Sequence, residues 1–536
     1  MKYRLLSVSL LGFMLGVLSG YAGAESADVS SVAAIKPDAV SELHFSIKQY
    51  EIEGATLLSV VELSEVLAPY VGEGKQFLDV QSALQAVEKA YAQKGYTAVH
   101  VVLPEQQLEQ GTVRLRVIES RFAEVNVKDN RYVSAENVLH ALPSVRTGNA
   151  PSSKQIAREL NLANENPARQ LNVVLKGNDQ EGKVDANVVV TDTKPSSWNM
   201  TLDNTGTPET GRTRAALSYR YANMFDTDQV ANLQYVTSPE FSKRVEVVGG
   251  GYKIPLYESG NSLEFFAGYS NVNSVVGGLS NFTGGGRLLS SRYNVSMEPI
   301  GGLQHSLFFG VDWRDFKRIE LTTQTPTVMY NEIVVTPLSI GYAAQGKFDR
   351  RDFAVNLSLE GNIPSMSKGG SADFAAYDKL NLTQPNAAFK VLRYSGNYAQ
   401  VFGEGWQFRT ALAGQWSPDV LVQGEQIRLG GAAAVRGFTE GSESGESGTR
   451  GTIEGYTPDY GIGDLKYRGL MFFDAGVVKP AQLKGYSISS AGLGVRANFT
   501  EQVSLYIDVA SILNSGADTV QRRGDRRVDA GLSANF

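Results

Sequence analysis

The chain has 536 residues, 50 of them basic and 56 acidic, a net charge of −6 and no cysteine. Such a length exceeds one ordinary soluble core, so several domains or one very large closed structure is expected. The charge balance leaves no basic footprint and excludes nucleic acid as a partner held by charge; the missing thiols exclude disulfides and suit an exported chain that stays unfolded until it is inserted.

At the N-terminus, Lys2 and Arg4 precede the apolar run Leu5 to Leu18 and the small-residue site Ala22-Gly23-Ala24. This predicts a secretory signal peptide over residues 1–24, because a membrane anchor needs about 20 apolar residues. An N-terminal extension, residues 25–44, follows. No later segment holds about 18 uninterrupted apolar residues, so any membrane span must be made of strands.

From Phe45 the helix and strand periods mix. FSIKQYEIEG reads as a strand and VVELSEVLAPYVG as a helix. VQSALQAVEKAYAQKG reads as a second helix, with Leu84, Val87 and Tyr91 at helical spacing and Gly95 as its stop. The strands YTAVHVVL and TVRLRVIE complete residues 45–120. GEGK at 72–75 is expected to be a turn between the helices, since Pro69 and Gln76 break the phosphate-loop pattern. The same order recurs over residues 121–193 in RFAEVNV, SAENVLHALP, SSKQIARELNLANENP, RQLNVVLKG and KVDANVVVT. Units of about 70 to 75 residues are therefore duplicated, each strand, helix, helix, strand, strand.

After Lys194-Pro195 the helical period gives way to alternation over residues 196–536. Phe353, Val355, Leu357 and Leu359 share one face and Ala354, Asn356, Ser358 and Glu360 the other. Trp406, Phe408, Leu412 and Trp416 oppose Gln407, Arg409 and Gln415, and the last strand sets Val528, Ala530, Leu532 and Phe536 against Arg527, Asp529, Ser533 and Asn535. A soluble sandwich shows the same period. Strand lengths near the 9 to 11 residues of a tilted membrane strand, aromatic strand ends and the signal peptide favour a transmembrane β-barrel, apolar outside and polar inside. At about 21 residues per strand and connection, around 16 antiparallel strands are expected.

Enzyme chemistry has little to stand on. The four histidines are His44, His100, His140 and His305, and no residue near His305 has ligand or triad spacing, so no catalytic residue, metal or cofactor is expected. The stretch from Ser417 to Thr449 is more informative, because it separates two strands by far more than a hairpin needs. It holds LGGAAAVRGF, and composition alone reads this as a flexible surface loop with Arg436 in water. The other reading uses Asp474, a carboxylate among the apolar residues of LMFFDAGVV. If that aspartate faces a lumen and the loop folds inward, the two satisfy each other, guanidinium on carboxylate.

Val435-Arg436-Gly437-Phe438 and Phe472-x-Asp474-x-Gly476 closely resemble the paired signatures of the outer-membrane transporters of two-partner secretion systems, the haemolysin and adhesin secretion and activation family, relatives of the barrel-assembly factors. Leu202-Asp203-Asn204-x-Gly206 with Thr210-Gly211 is similar to that family's first barrel strand, and Asn164-Glu165-Asn166-Pro167 to a turn in its second periplasmic module. The resemblance covers residues 45–536. It implies a 16-stranded barrel in the bacterial outer membrane, set in its lipid, after two polypeptide-transport-associated (POTRA) modules in the periplasm. It also implies an inward loop over 417–449 with Arg436 latched to Asp474, and a terminal strand ending in Phe536 that the barrel-assembly machinery recognises. Family members often carry a plug helix and a Pro-rich linker before the first module; here Glu25 to His44 hold one proline.

The activity so implied is export of a large exoprotein whose N-terminal secretion domain is captured in the periplasm. Capture by strand addition to a module edge is expected, at Tyr96 to Leu103 through Ala98, Val99 and Val101, or at Gln170 to Leu175 through Leu171, Val173 and Leu175. An assembly factor of the same superfamily is the nearest alternative, usually with three or more modules. A barrel enzyme lacks a catalytic constellation, and a passive porin leaves the modules unexplained.

Overall fold

The computed structural model describes residues 44–536 except 107–110, 209, 273–274, 277–281, 284, 322–326, 366, 381, 482 and 518–519. The expected signal peptide, and the extension up to residue 43, lie outside the described residues.

The first module runs β1 (Phe45–Ile47), β2 (Gln49–Glu53), α1 (Val60–Leu67), β3 (Gly72–Lys75), α2 (Phe77–Gln93), β4 (Val99–Val102) and β5 (Thr112–Glu119). Helix α1 begins where Ser59 and Glu62 cap each other, the Ser59 hydroxyl accepting from the Glu62 N–H and the Glu62 carboxylate from the Ser59 N–H at 2.9 Å. Val80, Ala83, Val87 and Tyr91 recur at helical spacing on α2 and are fully buried against Val113, Leu115 and Val117 of β5. The sheet order is β2-β5-β4, so β4 is an edge. GEGK is not the expected turn: it is β3 itself, paired antiparallel to β1 from Phe45↔Lys75 to Ile47↔Gly72. Two glycines with positive φ, Gly72 and Gly74, let so short a strand follow the 3-10 turn Ala68–Tyr70 that ends the first helix.

The second module repeats the plan with β6 (Arg121–Lys128), α3 (Ala135–His140), α4 (Ser153–Ala163), β7 (Arg169–Gly177) and β8 (Lys183–Asp192), in the sheet order β6-β8-β7. Its core of Phe122, Val138, Leu142, Ile156 and Val188 also takes in Tyr257 from a barrel turn. The Asn164-Glu165-Asn166 turn docks this module on the barrel. Asn166 donates to the Ala222 carbonyl at 2.7 Å and Glu165 pairs with Lys253 at 2.6 Å. Arg169 and Asp228 form a buried ion pair, and the Tyr257 hydroxyl donates to Asp228 at 2.8 Å.

Residues 196–536 form a closed barrel of sixteen antiparallel strands. Alternation has the expected sense: Val355, Leu357 and Leu359 are exposed on the outer face, whereas Glu360, Asp508 and Asp529 are buried on the inner one. Connections on the module side are short and those on the far side long. The barrel closes between Ser196–Asp203 and Arg526–Asn535 through five ladder pairs, Gly531↔Asp203 to Asn535↔Asn199, flanked by two backbone bonds exchanged between Trp198 and Phe536 at 3.0 and 2.9 Å and one from the Asn204 N–H to the Ala530 carbonyl at 3.2 Å, against eight pairs from Arg214↔Asp203 to Tyr221↔Ser196 on the other side of the same strand. Asn204 extends the closure with its side chain, donating to the Val528 carbonyl at 2.8 Å and accepting from the Ala530 N–H at 2.9 Å. Gly206 leaves room for the turn beyond it, where a Cβ would lie 2.0 Å from the Gly211 carbonyl oxygen.

Candidate functional site

The connection between the strands Trp416 ends and Ser447 begins folds into the barrel, so the expected loop 417–449 stops at Glu446, and 447–449 already belong to the next strand. Its middle is a hairpin, Ile427–Leu429 paired with Glu443–Gly445. The tip beyond it turns through Gly430, Gly431, Gly437 and Gly441, all at positive φ. Val435 and Phe438 are fully buried there with Leu429 against the wall residues Val478, Ile488 and Ile512.

Arg436 sits between those two apolar side chains, and its guanidinium is spent entirely on the barrel wall. Nε donates to Asp474 Oδ2 at 2.7 Å and Nη2 to Asp474 Oδ1 at 2.8 Å, a bidentate pair, while the backbone N–H of Arg436 reaches the same carboxylate at 3.1 Å. Nη1 reaches Asp508 Oδ2 at 3.2 Å, and Nη2 also meets Thr452 Oγ1 at 3.0 Å and Glu454 Oε1 at 2.9 Å. The side chains of Arg436 and Asp474 are 6% and 0% exposed. Low dielectric strengthens every one of these contacts, and losing one partner strands the other.

The neighbours in the two motifs have physical reasons of their own. Phe472 lies two residues from Asp474 on the same inward face, and the guanidinium carbon of Arg436 stacks 3.5 Å from its ring centroid. Gly476, two residues the other way, leaves space for the loop: a Cβ there would lie 2.9 Å from Leu429 Cδ1. Gly437 has φ +92° and would place a Cβ 3.3 Å from that of Ala510. A cavity of about 400 Å³ remains in the lumen beside Ala433 and Ala434, walled by small residues such as Ala354, Ser395, Ala411 and Ala413.

A second buried charge cluster holds the loop near its start, and the sequence reading missed it. Glu425 accepts from Arg314 Nη1 at 2.7 and 2.6 Å and from Arg393 Nη2 at 2.7 Å. Glu360 accepts from Arg393 Nη1 at 2.6 Å, and Asp312 pairs with Arg314. The partners come from strands far apart in the chain, and each alone reads as one more polar residue facing a lumen. Two basic residues on inward faces, Arg314 and Arg393, were the available signal.

The expected module edges divide. In antiparallel pairs a residue turns both its N–H and its C=O to one side. The Ala98 carbonyl accepts from the Ser120 N–H at 3.2 Å, so Ala98 faces its own sheet and offers nothing to a newcomer, a correction to the expected set. Val99 and Val101 face outward, although the Val101 N–H already donates to Glu88 Oε1 at 3.0 Å. On β7 the Leu171 N–H donates to Asn164 Oδ1 at 2.6 Å and the Leu171 carbonyl accepts from Asn164 Nδ2 at 3.1 Å, so Asn164 occupies that rung. Val173 and Leu175 lie beyond that rung. Val173 is half-buried against the module core, but the Leu175 side chain differs from those of Val99 and Val101, which are buried, since Leu175 is 41% and its neighbour Val174 45% exposed.

Residues 45–120 match the family described as "POTRA domain, ShlB-type", and residues 322–497 match "Haemolysin secretion/activation protein ShlB/FhaC/HecB". Among curated proteins, the heme/hemopexin transporter protein HuxB of Haemophilus influenzae is 23% identical over 84% of this chain and 82% of its own. The outer membrane transporter CdiB of Escherichia coli is 22% identical over 75% of this chain and 67% of its own. The solved structure of CdiB from Escherichia coli superposes with a TM-score of 0.74 at 18% identity, covering 94% of this chain and 93% of the other. One module of the matching type, a second built on the same plan, the sixteen-stranded barrel and an inward loop carrying Arg436 against Asp474 converge on one assignment. The chain belongs to the haemolysin secretion/activation family, the outer-membrane transporters of two-partner secretion.

Proposed function

We propose that this protein is a translocation pore of the bacterial outer membrane. It receives a large, unfolded exoprotein in the periplasm and passes it through the barrel to the cell surface or the medium. The observation that carries this reading is the loop: a closed, polar-lined barrel holds in its bore a segment pinned by side-chain contacts and not by strand pairing to the wall, so the bore can be cleared without unzipping a strand. Arg436 and Asp474 act as the latch, Phe472 and Gly476 shape its seat, and Val435, Gly437 and Phe438 shape the tip.

Capture adds a strand to a module edge, where main-chain hydrogen bonds hold an extended chain without demanding one sequence. The β7 edge past Asn164, at Val173 and Leu175, suits this best, because its backbone groups lie beside exposed apolar side chains. Val99 and Val101 form the lesser edge. Folding outside the cell supplies the pull. The outer apolar face contacts outer-membrane lipid, and the barrel-assembly machinery recognises the last strand through Phe536.

The test is co-expression with a candidate exoprotein, a long chain carrying an N-terminal secretion domain, scoring exoprotein in the medium with wild type and with Arg436→Ala at equal barrel insertion. Exoprotein retained in the periplasm by the variant supports the reading. Export at the wild-type level from fully inserted Arg436→Ala removes the latch from the mechanism.

A further inference from the structure

The inward loop has two anchors of opposite charge on two regions of the wall. Arg436, at its tip, meets the carboxylates of the C-terminal strands. Glu425, at its base, meets the guanidiniums of Arg314 and Arg393, and its side chain is 0% exposed. Their surroundings differ. Leu421 and Val422 of the base belong to a large apolar cluster with Phe316, Ile333, Phe374, Tyr377 and Phe389, whereas the tip rests on a smaller one. Gly424, the one glycine between Ser417 and Leu429, packs so closely that a Cβ would lie 2.2 Å from Phe316 Cε1. In the tip, by contrast, the glycines take the freely turning positive-φ conformation.

The base is also closed on itself. Arg393 Nε donates to Gln415 Oε1 at 3.0 Å, and Gln415 Nε2 donates to the carbonyls of both Glu425 and Glu446 at 2.8 and 3.0 Å. One amide thus ties the descending and returning legs together. Gln426 Nε2 reaches Glu446 Oε1 at 3.0 Å, and the Ala481 N–H reaches Glu446 Oε2 at 2.6 Å, so the returning leg is tied to the wall as well.

We infer that Glu425, Arg314, Arg393 and Gln415 form a fixed pivot, and that during export only the arm Ile427–Gly445 swings while the base Ser417–Gln426 stays in place. These are positioning residues: they hold the loop at a set point from which the latch can open and reclose. The inference rests on the reading of the protein as a pore with a moving loop, and extends it by saying where motion stops. A loop released whole would give up, in addition to the latch, the bonds of Glu425 to both guanidiniums, leaving Arg314 on Asp312 and Arg393 on Glu360, and would break up the apolar cluster, whereas an arm that swings gives up only the latch contacts and a few apolar ones.

Because the chain has no cysteine, single thiols report on each part of the full-length protein in the membrane. Ile512→Cys lies on the wall under the tip and Val422→Cys lies in the base, both buried. A water-soluble maleimide is applied with and without exoprotein in transit. Labelling of Ile512→Cys is expected to accelerate at least tenfold during export, with no change at Val422→Cys. Adding Glu425→Gln is expected to raise labelling of Val422→Cys at least tenfold even without exoprotein; if that variant fails to insert, Arg393→Lys, which keeps the charge and gives up the bond to Gln415, takes its place. Val422→Cys exposed together with Ile512→Cys would mean that the whole loop leaves, overturning the pivot and preserving the moving-loop reading. Ile512→Cys still protected during active export would remove the moving loop and the pivot with it. Val422→Cys protected in the inserted pivot variant would show that the apolar cluster alone holds the base, and would sink the role given to Glu425.

Discussion

Arg169 of the second module and Asp228 of the first barrel turn are paired with side chains 0% and 1% exposed, where solvent screens almost nothing. Breaking such a pair from one side leaves an uncompensated charge in the joint, which costs about 3 to 5 kcal/mol, while replacing both partners by apolar groups is close to neutral. Arg169→Ala should therefore loosen the module from the barrel, and Arg169→Met with Asp228→Asn should largely restore it, since asparagine drops the stranded charge, suits the left-handed backbone at 228 (φ 61°) and still accepts from Tyr257. Protease sensitivity at the Thr193 to Ser196 junction of the inserted protein measures this: high for the single variant, near wild type for the double.

Arg436 uses Nε, Nη1 and Nη2 on four wall side chains. Lysine keeps the charge but not the fork. Arg436→Lys should thus export poorly, close to Arg436→Ala and more than tenfold below wild type, with normal insertion. Full export from Arg436→Lys would mean that charge alone suffices.

At Gly476 the relevant quantity is space. A valine there must collide with Leu429, whose Cδ1 would lie 2.9 Å from the Cβ alone. Overpacking of this kind costs about 1 to 3 kcal/mol, and it should fall on the seating of the arm, because the strand can bear a β-branched residue. Planar-bilayer recordings of Gly476→Val should show more frequent and larger openings than wild type.

The β7 edge gives a backbone test. The Val173 N–H points away from β8, as that of Leu171 does, so Val173→Pro removes an outward donor and leaves the ladder Gln170↔Thr191 to Lys176↔Asp185 intact. Export should fall severalfold while module folding and barrel insertion are kept. Unchanged export would exclude this edge as the docking strand.

A pH dependence is expected in the first module. Burial pushes the Glu119 carboxyl up, but hydrogen bonds from the Thr56 hydroxyl, the N–H groups of Leu57 and Thr56 and the Tyr91 hydroxyl outweigh it and leave its pKa lowered. A carboxyl lowered by folding contributes stability above the unfolded value near 4.3 and loses it as pH falls through the folded one. Hydrogen exchange of β5 and α2 should be faster in Glu119→Gln than in wild type at neutral pH, with the difference vanishing in acid.

The barrel was legible because lipid outside and water inside impose a period of two, which Phe353 to Glu360 display in eight letters. Arg436 and Asp474 were legible because each is out of character with its immediate neighbours. Glu425, Arg314 and Arg393 are not: on an inward face between polar residues, a charge carries no local mark of its partner, and these partners lie 111 and 32 residues from Glu425. GEGK failed for another reason. Two glycines signal a turn, and nothing local says that β1 is waiting to pair with them. The edge strands were found, but which backbone groups were spare depended on Asn164 and Glu88, side chains that reach the edge from the end of α4 and from helix α2 respectively.

Five ladder pairs, flanked by the Trp198 and Phe536 backbone bonds and one from Asn204, close the barrel where eight ladder pairs hold the opposite side of the same stave. A hoop under outward load parts or slips where its joint is shortest, so girth is negotiable mainly at one place on the circumference. The side-chain rungs of Asn204 lie at the outer end of that joint, beyond the last ladder pair and beside the single backbone bond from the Asn204 N–H to the Ala530 carbonyl. They act as a buckle, and the circumference available to a passing chain is set by how far that buckle gives.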